Sequence, residues 1–213
     1  MEFLLIFLVL SNLLILGSSR LGLYIRLVAV QGIAVSVLLL VAQPVEQRSW
    51  HLIAVVVLTM LIKGAVFPWV FFRAIQRGQV SREMNPYIGF NLSLFIGLAG
   101  WCAALWLGSR LSLPNGIVPD SLIPCGMFTV LVGLLLLITR RIAITQVLGY
   151  LVMENGIFVF AAAIEGQQPL LVELGILLDV FAAVFIMVIT LFQIDREIHD
   201  IHLDSSKLVE LKD

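Results

Sequence analysis

Apolar residues run along this chain in blocks too long for an ordinary soluble core, separated by short polar connections. Seven blocks reach or approach the roughly 17–25 residues that cross a hydrocarbon layer as a helix. They cover 2–17, 21–41, 52–72, 87–107, 122–139, 142–163 and 169–193. Within a bilayer the backbone must satisfy its own hydrogen bonds, so separate apolar segments of this length read as helices. The pattern therefore predicts an all-α integral membrane protein with seven transmembrane helices. The connections agree: Gln43-Pro44, Asn85-Pro86, Pro114-Asn115-Gly116 and Gln167-Gln168-Pro169 are turn or breaker signals. Only Arg140-Arg141 divides the fifth block from the sixth, which predicts a tight turn. A single helix through both would be about twice a membrane span.

The chain divides along these lines. Residues 1–74 hold the first three helices, 75–121 a connector with the fourth, 122–193 the last three, and 194–213 a cytoplasmic tail. Gln31-Gly32-Ile33 in the second block echoes Asn155-Gly156-Ile157 in the sixth, and Leu61-Ile62-Lys63 in the third echoes Leu177-Leu178-Asp179 in the seventh. These pairs suggest a weak parallel repeat, a known way of building membrane transport proteins.

Composition strengthens the membrane reading. The chain is 61% hydrophobic and 13% charged, against roughly 45–50% and 25% in soluble domains. A formal net charge of −1 gives no reason to expect nucleic acid. No basic region precedes the first block, so it is expected to be a retained helix rather than a secretory signal. Basic residues set an orientation. Ten of the thirteen Lys and Arg residues fall on one side: Arg20, Arg26, Arg73, Arg77, Arg82, Arg140, Arg141, Arg196, Lys207 and Lys212. Arg48 and Arg110 fall on the other, and Lys63 is intramembrane. The positive-inside rule then predicts an outer N-terminus and a cytoplasmic C-terminus.

Three ionisable residues interrupt the blocks near mid-depth: Lys63, Glu154 and Asp179. A charge at bilayer depth costs at least ~2.5–3.5 kcal/mol on insertion scales, so it usually faces the protein interior and usually has a task. At about 1.5 Å of rise per residue, the three lie at nearly one level. Gln146, Tyr150 and Glu154 follow at i, i+4 and i+8, a polar stripe running from the Arg140-Arg141 end to the middle. Asn155 adjoins Glu154, and Glu173 lies near the outer end of the seventh block. Two roles fit the trio. A buried ion pair can fix helix register. A proton relay is the other, because low dielectric disfavours the charged forms and brings acids and lysines towards exchange.

Missing chemistry narrows the choice. The sequence has no CxxC, no GxGxxG, no P-loop and no pair of intramembrane histidines. His51, His199 and His202 lie at or beyond the block boundaries, and Cys102 and Cys125 carry no disulfide or metal pattern. The expectation is a chain without a metal, cofactor or redox centre of its own.

Gly149-Tyr150-Leu151-Val152-Met153-Glu154-Asn155-Gly156, followed by Leu171-Val172-Glu173-Leu174-Gly175-Ile176 and Asp179, resembles the component E family of hydrogenase-4. Ile62-Lys63-Gly64 through Pro68 and the tail Lys207-Leu208-Val209-Glu210-Leu211-Lys212 are similar to it as well. The last three helices also resemble the K subunit of respiratory complex I and the C subunit of multisubunit sodium/proton antiporters. There an arginine pair precedes a helix with a buried glutamate and a helix with a second buried acid. The resemblance implies a non-redox membrane-arm subunit of a group 4 hydrogenase-type complex in a prokaryotic inner membrane. It implies antiporter-like membrane subunits and a hydrogenase-type soluble arm as partners. It further implies that Glu154 and Asp179, with Lys63, carry protons laterally, supported by Gln146, Tyr150, Asn155 and Glu173. A subunit of a sodium/proton antiporter is the first alternative. A purely structural subunit between antiporter-like neighbours is the second.

Overall fold

A computed structural model describes residues 1–42, 50–78, 86–111, 121–164 and Val184. All elements among them are helices: α1 (Glu2–Gly17), α2 (Leu21–Ala42), α3 (Trp50–Leu61), a π-helical segment (Ile62–Val66), α4 (Phe67–Gly78), α5 (Phe90–Gly108), α6 (Leu122–Thr139) and α7 (Ala143–Ile164). Five spans are long and apolar enough to cross a membrane: Leu21–Val41, Val56–Gln76, Phe90–Gly108, Leu122–Thr139 and Ala143–Ala163. Glu2–Gly17 is a shorter apolar helix. The protein is a multi-pass membrane protein. The expected seventh helix, with Glu173 and Asp179, lies outside the described residues.

The third block differs from a plain helix. α3, the π segment and α4 follow one another without a break, and the Phe67 N–H donates to the Ile62 carbonyl five residues back. Pro68 stands at the second position of α4. Having no N–H, it cannot give the i−4 bond that an α-ladder needs there, and its ring crowds the turn before it. A π turn is a common way to absorb such a defect. It falls on Ile62-Lys63-Gly64-Ala65-Val66, so Lys63 sits in the irregular turn of the span.

Chain reversals are equally local. Ser18 is extended after α1, and its carbonyl accepts from the Tyr24 hydroxyl at 2.9 Å. Arg140 is extended after α6, which confirms the tight turn expected at Arg140-Arg141. The Tyr87 N–H donates to the Thr139 carbonyl at 2.9 Å, drawing the start of α5 to that turn.

Apart from α4, these helices are apolar on nearly every side, so polarity alone does not choose their buried face. Small residues choose it. Gly126 and Gly133 on α6 meet Gly149 and Gly156 on α7, each pair seven residues apart. A Cβ on Gly126 would stand 2.6 Å from the Phe160 backbone nitrogen, and one on Gly133 would fall onto the Met153 backbone. A seven-residue repeat keeps one seam facing its partner along a gently supercoiled pair. The two backbones therefore touch along the whole seam, and this pair forms the rigid centre of the bundle. At one level Phe128, Val132 and Leu136 of α6 pack with Ile15, Leu16, Tyr24 and Leu148. At the other, Leu122 and Cys125 pack with Leu5, Leu8, Leu38 and Val159. Outward side chains such as Phe3, Leu92, Phe95 and Trp106 remain exposed and apolar, as lipid-facing positions should be.

Candidate functional site

Lys63 and Glu154 meet in the centre of the bundle. Lys63 Nζ lies 2.8 Å from Glu154 Oε1, and the two residues are 5% and 0% exposed. Lys63 also donates to Asn155 Oδ1 at 3.4 Å, and its ammonium stands 4.7 Å from the Phe158 ring centroid. Glu154, Asn155 and Phe158 thus surround the cation from consecutive turns of α7. A carboxylate, an amide oxygen and an aromatic face are the groups that lower the cost of a buried cation.

Glycines make room for this arrangement. A Cβ on Gly32 would come within 2.8 Å of Lys63 Cβ, so the lysine stem lies directly against the α2 backbone. Gly64 reciprocates, because a Cβ there would be 2.9 Å from Ile33 Cδ1. On the far side, Gly156 presses α7 against the Thr129 and Val130 backbone of α6. The ion pair is therefore held between two close helix contacts.

A second polar cluster lies beside it on α1, α2 and α6. Gln31 Nε2 donates to Ser11 Oγ at 2.7 Å and to Asn12 Oδ1 at 2.9 Å. Asn12 Nδ2 donates to Thr129 Oγ1 at 2.9 Å, and Thr129 Oγ1 donates to the Cys125 carbonyl at 2.8 Å. All four side chains are buried, and Gln31 Oε1 accepts no hydrogen bond from the described residues. Gln31 adjoins Gly32, which touches Lys63, and Thr129 touches Gly156, which adjoins Asn155. The two clusters thus form one polar layer across α1, α2, the π segment, α6 and α7. Asn12 and Thr129 escaped the sequence reading because neutral polar residues are a weak signal in apolar runs. Gln31 was noticed only as part of a repeat. The available signal was an amide within the first block, where no turn explains it.

The other expected positions fall as follows. Gln146 donates to the Arg140 carbonyl at 2.9 Å, so its amide holds the turn between α6 and α7. Tyr150 is half-buried against the core. Asn155 faces Lys63 directly. Asp179 and Glu173 lie outside the described residues. The repeat's two glycines meet different surroundings, Gly32 the Lys63 side chain and Gly156 the α6 backbone. Arg140 and Arg141 also part company. Arg141 is exposed beside the Tyr87 ring, while Arg140 is fully buried, donates to the Leu16 carbonyl at 3.1 Å and lies 4.6 Å from the Phe90 ring. Among the described residues no group of three or more His, Cys, Asp and Glu side chains could hold a metal ion.

Comparison with known proteins follows the same parts of the chain. Residues 122–210 match the family model of NADH-ubiquinone/plastoquinone oxidoreductase chain 4L. An uncharacterized protein of Mycobacterium tuberculosis, Rv0085, is 31% identical over 208 residues, which cover 97% of this chain and 93% of that one. Hydrogenase-4 component E of Escherichia coli K12 is 34% identical over 113 residues, 52% of this chain and 50% of its own length. The same identity and coverage hold for the component E of Shigella flexneri. No solved structure matches the chain. The helical bundle is that of a multi-pass membrane protein, and its residues 122–210 carry the likeness to chain 4L. The chain is related to Rv0085 along nearly its whole length, and about half of it is similar to about half of hydrogenase-4 component E.

Proposed function

We propose that this chain is a non-redox membrane-arm subunit of a hydrogenase-type, complex I-related energy-converting complex. In this reading its buried ion pair takes part in lateral proton transfer. The observation that carries the reading is the closed contact of Lys63 with Glu154, 2.8 Å apart and sealed from solvent. Such pairs are scarce within membranes and usually mark a proton or ion path. A pair that opens and closes changes the charge felt by its neighbours, and so can pass a proton one way at a time. Glu154 is the proposed carrier, Lys63 its charge partner, and Asn155 the group that keeps Lys63 in place when the carboxylate is protonated. Asp179, with Glu173 beyond it, would continue the path from the seventh helix. Tyr150 and Gln146 would support it on the Arg140 side. The full bundle has seven helices with an outer N-terminus and a cytoplasmic C-terminus, set in a prokaryotic inner membrane. Antiporter-like subunits would flank it, and a hydrogenase-type soluble arm would supply the electron chemistry.

The decisive experiment replaces Glu154 with Gln in the assembled complex and measures proton movement against electron transfer. The expected outcome is continued electron transfer with coupled proton movement lost. Unchanged pumping removes Glu154 from the path. The contact geometry favours one rival, a pair that only locks α7 to the π segment. Joint replacement by Lys63→Met and Glu154→Leu separates the two. Assembly and coupling that both survive would make the charges dispensable.

A further inference from the structure

A small cavity opens beside the ion pair. It leaves about 10 Å³ for the centre of a water-sized sphere, which is room for about one water molecule. Lys63 and Asn155 supply its polar wall. The rest is apolar and leads in one direction. Along α2 the lining runs from Ala29 back to Ile25, along α4 from Phe67 to Phe71, and along α7 from Leu151 back to Leu148. Each of these steps approaches the same end of the bundle. Ile25 lies one turn from Arg20, Phe71 two residues from Arg73, and Leu148 two turns from Arg140. Gly22 packs 3.8 Å from the Phe72 ring for a Cβ placed there, so α2 and α4 do come together at that end. Among the described residues, none on the Ala42 and Trp50 side lines the cavity.

We propose that this cavity is a water site through which the Lys63–Glu154 pair reaches the basic end of the bundle. This rests on reading the pair as a proton-transfer site. Lys63 and Asn155 provide the polar contacts that keep a water in an otherwise apolar hole. A proton leaving the Lys63 ammonium passes to the water oxygen, and the hydronium so formed gives up a different proton to bulk water at the basic end, leaving neutral Lys63 beside Glu154. Charge and atoms are conserved, and no other group is consumed. Phe67 and Phe71 form the apolar neck on the α4 side. They sit just past the π segment.

The test uses the full chain in membrane vesicles with Cys102→Ser and Cys125→Ser as background, and silver ion as a thiol reagent close to water in size. Val28→Cys places a thiol in the wall of the cavity; Phe71→Cys is the second variant should the first fail to fold. Silver added on the side of Arg20 and Arg141 is expected to block the thiol about tenfold faster than silver on the opposite side, roughly 1.4 kcal/mol of barrier. Adding Ala29→Leu, which fills the cavity, is expected to remove that difference. A thiol that reacts faster from the opposite side, or from neither side in both variants, overturns the proposal. Labelling needs no coupled turnover, so it can fail while the Glu154→Gln result holds, and the reverse.

Discussion

Lys63 Nζ and Glu154 Oε1 stand 2.8 Å apart with neither residue open to solvent, and the lysine reaches that position from a π turn rather than a regular helix. Removing one partner leaves the other charge buried. Such a loss typically costs about 3–5 kcal/mol, whereas replacing both by apolar residues of similar volume is often close to neutral. Lys63→Met and Glu154→Leu are each expected to destabilise the chain strongly, and the double variant is expected to recover most of the loss. Unfolding of the purified chain in detergent with graded denaturant measures all three. Losses that simply add would show that the two side chains do not depend on each other.

The seam between α6 and α7 gives a sharper contrast. Gly133→Ala puts a methyl group onto the Met153 backbone, with no flexible side chain to yield. Overpacking of this kind costs typically about 1–3 kcal/mol. Gly100→Ala on α5 meets only the Leu131 side chain at 3.9 Å, an ordinary contact. There the helix gains by losing a glycine, by about 0.4–1 kcal/mol. The expected result is therefore opposite signs for two identical substitutions in the same protein, read from thermal midpoints in one detergent. Equal effects would mean that α6 and α7 are not in backbone contact.

Much of this was legible in the chain itself. The apolar blocks placed α1, α2 and α5 to α7 within a few residues, because length and polarity decide membrane spans almost alone. Lys63 and Glu154 stood out because a charge in an apolar run has few explanations. Their meeting was one of two open choices, Lys63 with Glu154 or with Asp179, since nothing in spacing says which acid faces the lysine. The π turn was hidden because its cause, Pro68, lies five residues beyond Lys63 and reads as a breaker of the helix it merely distorts. Arg140 was counted as a loop residue because a doublet at a turn reads as solvent-exposed. The fold instead draws the first of the two inside, against the end of α1.

Among the described residues, Arg140 is the largest fully buried side chain. Its Nη2 donates to the Leu16 carbonyl, while Nε and Nη1 have no hydrogen-bond partner among the described residues. Its stem and planar head therefore contribute packing more than pairing. Arg140→Met keeps the volume and removes an incompletely satisfied charge, so its expected cost is under about 1.5 kcal/mol. Arg140→Ala empties the space beside Leu16 and Phe90, and is expected to cost about 2–5 kcal/mol, as other large truncations do. Arg141→Ala, at an exposed neighbour, is expected to stay within about 0.5 kcal/mol of the parent. The same denaturant series ranks the three. A Met variant as damaged as the Ala variant would assign the role to the charge instead.

Gln31 tests whether the second polar cluster acts as a unit. Its amide nitrogen serves both Ser11 and Asn12, so Gln31→Leu strips two acceptors on α1 of one donor at once. Asn12 Oδ1 then has no replacement among the neighbours that bond it here. A buried acceptor left in that state costs about 1–3 kcal/mol. Asn12→Leu alone frees the Thr129 hydroxyl of its donor, a smaller loss, because that hydroxyl still donates to Cys125. The double variant Gln31→Leu with Asn12→Leu removes donor and acceptor together. It is expected to be more stable than Gln31→Leu alone, with a coupling of about 0.5–3 kcal/mol. Coupled proton movement in the same variants separates packing from function. If the polar layer only holds helices, the double variant keeps coupling along with stability. If the layer sets the field around Lys63, coupling falls even where stability returns, because Gly32 carries any shift at Gln31 directly onto the lysine stem.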